Sequence, residues 1–242
     1  MQLEVSIGLR EPLALPINYN HILQSIIYRA LSAMPDYSEF LHECGYTSGG
    51  RQYRMFQFSQ LTGDYYIDQG QHKIVFRSYV HLEIRSPEPL LIRLLTMNLQ
   101  RHGVMFGTVI CRDVHLELYD YTVEENSLNI RMKSPVTVYS TDPGSGYVTY
   151  YKPDEDIFYQ KINDNFLRKY QAYYGLSPYA GIEMKPLQDN LPKKMVTKYQ
   201  GSYITAWYGT YRLTGERKYL DFLYQTGLGS KNSQGFGMFE IL

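Results

Sequence analysis

Leu3, Val5, Ile7 and Leu9 alternate with Gln2, Glu4, Ser6 and Gly8, the period of a strand buried on one face. From Asn20 the spacing changes. Ile22, Leu23, Ile26, Ile27, Ala30 and Leu31 fall on one helical stripe that Pro35 terminates. The stretches RMFQFSQL (54–61) and KIVFRSYVHLEIR (73–85) read as two more strands linked as a hairpin, the second with Ile74, Phe76, Val80, Leu82 and Ile84 on one face. Ser86 and Pro87 supply a cap and first turn for the helix EPLLIRLLTMNLQR, which Gly103 ends, and VHLEL (114–118) alternates again. The order β-α-β-β-α-β predicts a ferredoxin-like domain.

The second half repeats this order without a residue-level repeat. LNIRMKSPVTVYS reads as a strand, DIFYQKINDNFLRKYQAYY as a helix, and segments around 181–186 and 195–212 as strands. ERKYLDFLYQT follows as a helix and GFGMFEI as the last strand. The expectation is an α+β fold of two tandem ferredoxin-like (RRM-like) domains, 1–122 and 123–242, dividing in DYTVEENS.

Between the last helix and last strand, Gly227, Gly229, Gly235 and Gly237 frame the polar run Ser230 to Gln234. The dinucleotide fingerprint fails because Asn232 stands where its third glycine belongs, and the nucleotide-triphosphate loop fails because Lys231 follows Ser230. A strand, not a helix, comes next. The loop therefore offers backbone N–H groups and Lys231 without a helix dipole behind them; a simple turn would need no ligand at all.

Composition narrows the class. With 242 residues and 44% apolar residues, the chain can bury one large core or two smaller ones. No apolar run approaches a membrane span, and the charged, alternating start is unlike a secretory signal. Cys44 and Cys111 form no C-x-x-C pair, so a cytoplasmic protein without structural zinc is expected. The 24 basic and 24 acidic residues balance, so a nucleic-acid footprint would have to be local. Lys185, Lys193, Lys194 and Lys198, facing a single Asp189, are one candidate patch; a solvated loop is the other reading. Of 25 tyrosines, 17 lie from Tyr119 onward, rings that suit either base stacking or half-exposed strand packing.

The stretches LPINYNHILQSIIYRAL, FLHE (40–43), RMKSPVTV (131–138), FYQKINDNFLRKYQAYYG, YITAWYGTYRL (203–213) and above all GLGSKNSQGFGM resemble, over the whole length, the CRISPR-associated endoribonucleases that cut repeat RNA into guide RNAs. The order of glycines around a lysine, G-x-G-x-K-N-S-x-G-F-G, is the most specific of these. The resemblance implies paired ferredoxin-like domains, and RNA cleavage by attack of a 2′-hydroxyl on the neighbouring phosphate with no metal or cofactor. It implies CRISPR repeat RNA as partner, and leaves open both association with an effector complex and pairing as a homodimer. In this family the glycine-rich loop lies against RNA and against the other domain.

Such cleavage needs a base for the 2′-OH proton, an acid for the leaving 5′-oxygen, and positive charge or N–H donors on the phosphate. His42 is the first candidate. Asp36 with Glu39 resembles a capping box and Gly45 a stop, so His42 would sit in a last helical turn, where the helix end and the acids Glu39 and Glu43 favour a protonated ring. Tyr28 projects from the outward face of its helix, beside His21, and the family places a tyrosine of this helix near the scissile phosphate. Arg54 stands where the family often has lysine; a guanidinium clamps phosphate but is a poor acid, so it should stabilise charge. Arg51 competes for that role, because CGYTSGGRQY is longer than is usual in the family. Candidate RNA contacts are Gly227, Gly229, Ser230, Lys231, Asn232, Gly235, Gly237, Arg51, Lys193, Lys194 and Lys198. Two other classes fit the fold: a non-catalytic RNA-binding subunit of a CRISPR effector complex, and a small-molecule regulatory domain, which would leave the lysines and the terminal loop without a role.

Overall fold

The computed structural model describes residues 1–188, 191–199 and 201–242. The first half comprises β1 (Gln2–Gly8), β2 (Leu13–Pro16), α1 (Asn20–Leu31), α2 (Pro35–Glu39) and a π-helical turn, Phe40–Cys44. Then come β3 (Tyr46–Ser48), β4 (Arg51–Tyr53), β5 (Gln57–Phe58), β6 (Thr62–Asp68), β7 (Lys73–Arg85), α3 (Pro89–His102), β8 (Val104–Phe106), β9 (Val109–Cys111) and β10 (Asp113–Tyr119).

β7 organises this sheet. Ile84 pairs with both Leu3 of β1 and Phe58 of β5, and Phe76 with both Leu13 of β2 and Tyr65 of β6. A residue has two ladder edges, so β1 and β2 form one broken strand on one side of β7, and β5 and β6 another on the far side. With β10 on the outer edge of β1, all pairings are antiparallel and the order is that of a ferredoxin-like sheet. The expected strand at 54–61 survives only as the two residues of β5. Most of the pairing to β7 comes instead from β6, whose Tyr65, Tyr66 and Ile67 are exposed and so show no buried-face alternation.

The stripe of α1 buries Leu23, Ile26, Ile27, Ala30 and Leu31 beside Leu91, Ile92, Leu95 and Leu99 of α3, over Leu3, Val5 and Ile7. Ile27 has no solvent exposure, so Ile27→Ala should cost about 2–5 kcal/mol. α3 starts at Pro89, two residues later than expected, because the Ser86 hydroxyl accepts the Glu88 N–H outside the helix and donates to the Met55 carbonyl.

The second half comprises β11 (Ser127–Met132), β12 (Tyr139–Thr141), β13 (Val148–Tyr150), α4 (Asp156–Tyr174), β14 (Glu183–Pro186), β15 (Lys193–Tyr199), β16 (Ser202–Tyr208), β17 (Thr210–Thr214), α5 (Arg217–Thr226) and β18 (Phe239–Ile241). Its main sheet runs β14-β17-β11-β18, the same ferredoxin-like order. The strand expected over 128–140 stops at Met132, because Pro135 cannot donate to a ladder; β12 turns away to pair with β13. The stretch 195–212 is likewise more than one strand: β15 and β16 form a separate hairpin, and β17 enters the sheet. Both hairpins are insertions into a βαββαβ frame.

The two sheets meet through a buried polar seam. Arg85 at the end of β7 is paired with Glu83, which also binds Lys133 from the second half. The Arg85 guanidinium donates to the carbonyls of Phe239 (2.8 Å) and Tyr224 (3.3 Å) and lies 3.7 Å over the Tyr224 ring. Gln57 donates to the same Tyr224 carbonyl at 2.7 Å. These bonds satisfy groups that would otherwise be buried without partners, and they join the end of β7 to α5 and β18 of the second half.

Candidate active site

The cleft between the halves encloses about 700 Å³. One wall carries Tyr28, His42, Arg51 and Arg54; the other carries Gly229, Ser230, Lys231 and Asn232. Residues separated by nearly the whole chain therefore face one space. No carboxylate lines it among the described residues, although the protein as a whole is charge-neutral. The local positive field that composition could not reveal is concentrated here.

His42 sits in the π-helical turn, not in a regular last turn. Gly45 closes that turn at φ +60° with its N–H on the Phe40 carbonyl at 2.6 Å. A Cβ at Gly45 would stand 2.5 Å from the Tyr53 carbonyl, so this tight closure needs glycine. The expected capping box does not form. Met34 is the N-cap, Pro35 supplies the first turn, and no side chain caps the helix. The imidazole is exposed on 64% of its side-chain surface, and its Nδ1 meets Glu43 Oε1 at 2.6 Å. An ionised carboxylate only accepts, so Nδ1 carries the hydrogen and Nε2 is left to exchange a proton.

Tyr28 is half-buried, not projecting freely from α1. Its ring meets those of His42 and Phe56 edge-on, with centroids 5.2 Å and 5.9 Å away. Burial pushes its phenol pKa up, against the charge and hydrogen bond of Arg54. The hydroxyl therefore remains a donor at neutral pH. Arg54 follows β4 and does not open a strand. It donates to the His42 carbonyl at 2.7 Å, to the Cys44 carbonyl at 3.4 Å and to Gln52. The guanidinium thus braces the turn that carries His42. Arg51, on β4, reaches the same cleft without a hydrogen bond or ion pair among the described residues.

The glycine-rich loop is held from three directions. Asn20 and Gln24 of α1 donate to the carbonyls of Gln234 and Ser233, each at 2.8 Å, and the Ser230 N–H donates to Thr137 at 2.9 Å. Asn232 donates to the Leu228 and Phe236 carbonyls. Gly229 lines the cleft, whereas Gly227, Gly235 and Gly237 are buried against protein: Gln57 and Asn232, Phe58 and Asn20, and the Leu228 carbonyl respectively. Lys231 takes a left-handed conformation, φ +62°, with its ammonium 5.2 Å from the Tyr139 ring. Lys193, Lys194 and Lys198 are exposed on β15, outside the cleft. Their hairpin touches the cleft through Tyr199, whose hydroxyl bonds Gln24. Lys185 pairs with Glu183, and Asp189 lies outside the described residues.

Several cleft residues were not anticipated from the sequence, and two of them are buried polar groups on one helix. Asn165 and Lys169 of α4 are 5% and 1% exposed, and both line the cleft. They lie on the stripe Phe158, Ile162 and Phe166, so polar residues on an otherwise apolar helix face were the available signal.

The sequence profile described as CRISPR associated protein Cas6, C-terminal, matches residues 118–241. A CRISPR-associated endoribonuclease Cas6 of Pyrococcus furiosus is 28% identical over 241 residues, covering 93% of this chain and 83% of the relative. A solved structure of a Cas6-related protein from Pyrococcus furiosus superposes with a TM-score of 0.80 at 20% identity, covering 100% of this chain and 98% of the other. Another, described as an RAMP protein binding different RNA substrates, superposes with a TM-score of 0.81 at 20% identity, covering 100% and 99%. Among the described residues, no helix is long and apolar enough to cross a membrane.

Proposed function

The chain belongs to the Cas6 family of CRISPR-associated proteins, and on that premise we propose that it is an endoribonuclease that cleaves CRISPR repeat transcripts into guide RNAs, in the cytoplasm, by attack of a 2′-hydroxyl on the adjacent phosphate. One observation carries this reading: a cleft lined by no carboxylate among the described residues joins Tyr28, His42 and Arg54 to the lysine of the glycine-rich loop. Poly-anionic RNA fits such a cleft, and the residues needed for proton transfer stand at its wall.

In this scheme His42 Nε2 accepts the proton of the 2′-hydroxyl as the 2′-oxygen bonds to phosphorus. The bond from phosphorus to the 5′-oxygen breaks, and the departing oxygen takes back the proton that His42 accepted, leaving a 2′,3′-cyclic phosphate upstream, a 5′-hydroxyl downstream and the imidazole neutral again. Glu43 keeps the imidazole in the tautomer that leaves Nε2 free. Tyr28 donates its hydroxyl hydrogen toward the phosphate. Arg54 supplies fixed charge while bracing the turn, a role in which it cannot act as acid. Lys231 and the backbone at Gly229 and Ser230 receive the RNA chain from the opposite wall, and Arg51 adds a second phosphate contact. Lys193, Lys194 and Lys198 extend the track beyond the cleft.

The test alters the RNA, not the protein. Replacing the nucleotide 5′ of the cut with its 2′-deoxy form removes the attacking oxygen and keeps the phosphate charge. Binding should persist while cleavage stops, and unmodified RNA should still be cut in EDTA. Cleavage of the deoxy RNA at the same bond would exclude 2′-hydroxyl attack, and loss of activity in EDTA would point to a metal-activated water. Binding with no cut of any repeat RNA would instead identify a non-catalytic RNA-binding subunit.

A further inference from the structure

Lys169 is a lysine almost completely removed from solvent, with 1% of its surface exposed. Its ammonium donates to the carbonyls of Gly227 (2.6 Å) and Thr226 (3.3 Å) and to Asn232 Oδ1 (2.8 Å). Those carbonyls are the C-terminal end of α5, the negative end of its dipole, and Asn232 is the residue that ties the glycine-rich loop to itself. Every proton of the ammonium is used, yet every acceptor is neutral. A buried ammonium normally requires a carboxylate, because desolvation of a charge costs several kcal/mol; here none pairs with it among the described residues, and none lines the cleft.

We propose that Lys169 is a positioning residue for RNA: its ammonium braces the glycine-rich loop from below and leaves an uncompensated positive charge there, so that bound phosphate and the protonated lysine favour each other. This rests on RNA as the ligand of the cleft. It predicts that RNA binding draws a proton onto Lys169.

The surroundings agree. Burial pushes the Lys169 pKa down to about 7, so the free protein carries it only partly charged under neutral conditions. Among the described residues, the charged groups that line the cleft beside Lys169 are Arg51 and Arg54 after the π-helical turn, His42 in that turn and Lys231 on the loop; the one acid at its edge is Glu43, which is paired with His42. On its own helix the neighbour Arg168 is cationic too. The phenols facing the cleft from α1, β4 and β15 are Tyr28, Tyr53 and Tyr199, and burial raises the pKa of each, which leaves them neutral; the Tyr139 ring faces Lys231 from β12. A phosphate would be the first anion among the described groups that line this space. Since the complex then binds protons more strongly than the free protein, affinity falls as pH rises above about 7, by at most about tenfold per pH unit for one linked proton.

Isothermal calorimetry with repeat RNA carrying a single 2′-deoxy nucleotide 5′ of the cut, in two buffers of different ionisation enthalpy at pH 7.5 and 8.5, reads this directly. His42→Ala protein serves as the reference, so that the imidazole contributes nothing. A fractional proton should be taken up on binding in that protein and lost in His42→Ala/Lys169→Met, whose affinity should vary less with pH. Lys169→Arg, charged throughout, should restore binding at pH 8.5 without uptake. Binding of the reference protein with no proton uptake would overturn the proposal even if the Lys169→Met protein failed to fold, and so would uptake that survives in Lys169→Met. If unsubstituted protein binds no RNA at any pH, the RNA reading itself fails.

Discussion

The ring of His42 stands edge-on to that of Tyr28, with centroids 5.2 Å apart and planes at 77°. The contact joins α1 to the π-helical turn, so the imidazole has a defined orientation although most of it is exposed. His42→Ala should lower the single-turnover cleavage rate by about 10²- to 10⁴-fold with little change in RNA affinity. Tyr28→Phe keeps the ring contact and removes only the hydroxyl, and should cost about tenfold to a hundredfold. Full activity of His42→Ala would remove the imidazole from the chemistry.

The two arginines should separate by kind of effect. Arg54 braces the carbonyls of His42 and Cys44, so Arg54→Ala should depress the cleavage rate more than binding. Arg51 and Lys231 reach the cleft without ion pairs among the described residues. Arg51→Ala and Lys231→Ala should each weaken RNA binding and lower the slope of log affinity against log salt by about 0.7, the loss of one single-strand phosphate contact. An unchanged slope in both would place the RNA elsewhere. A larger cleavage defect in Arg51→Ala than in Arg54→Ala would exchange their roles.

Gly237 adopts φ +82°, and a Cβ there would collide with the Leu228 carbonyl. Since that backbone cannot yield without breaking the loop, Gly237→Ala should destabilise the fold by about 1–3 kcal/mol or more. Gly144, whose Cβ would meet only the Asp142 carboxylate at 3.5 Å, is the control: Gly144→Ala should stay within about 0.5 kcal/mol. Equal midpoints in urea for the two variants would show that the loop glycines are not needed by the fold.

Lys169 makes stability depend on pH in a direction opposite to that of a paired lysine. Its unfolded pKa is 10.5 and its folded value is lowered to about 7. Between these limits the unfolded chain binds more protons, so raising pH favours folding. Relative to Lys169→Met, the RNA-free protein should gain stability from pH 7 toward pH 10, by at most about 1.4 kcal/mol per pH unit. Parallel pH profiles of the two proteins, measured by chemical denaturation, would contradict a depressed folded pKa.

The sequence by itself determined the βαββαβ order of both halves, because the buried face of a strand or helix imposes its period on the chain. α1 and α4 are legible from Leu23, Ile26 and Ile27, or Phe158, Ile162 and Phe166. β6 was illegible because its tyrosines face solvent, and the hairpin β15–β16 because its residues are mostly exposed or half-buried and leave no clear buried-face alternation. The candidates Tyr28, His42, Arg54 and Lys231 could be named from local chemistry and resemblance. That they share one cleft was a tertiary decision, since the seam through Arg85, Gln57 and Asn20 closes over distances no local pattern encodes. Only folding reveals the charge on Lys169, because whether a lysine is solvated or buried beneath a loop depends on what the rest of the chain packs around it.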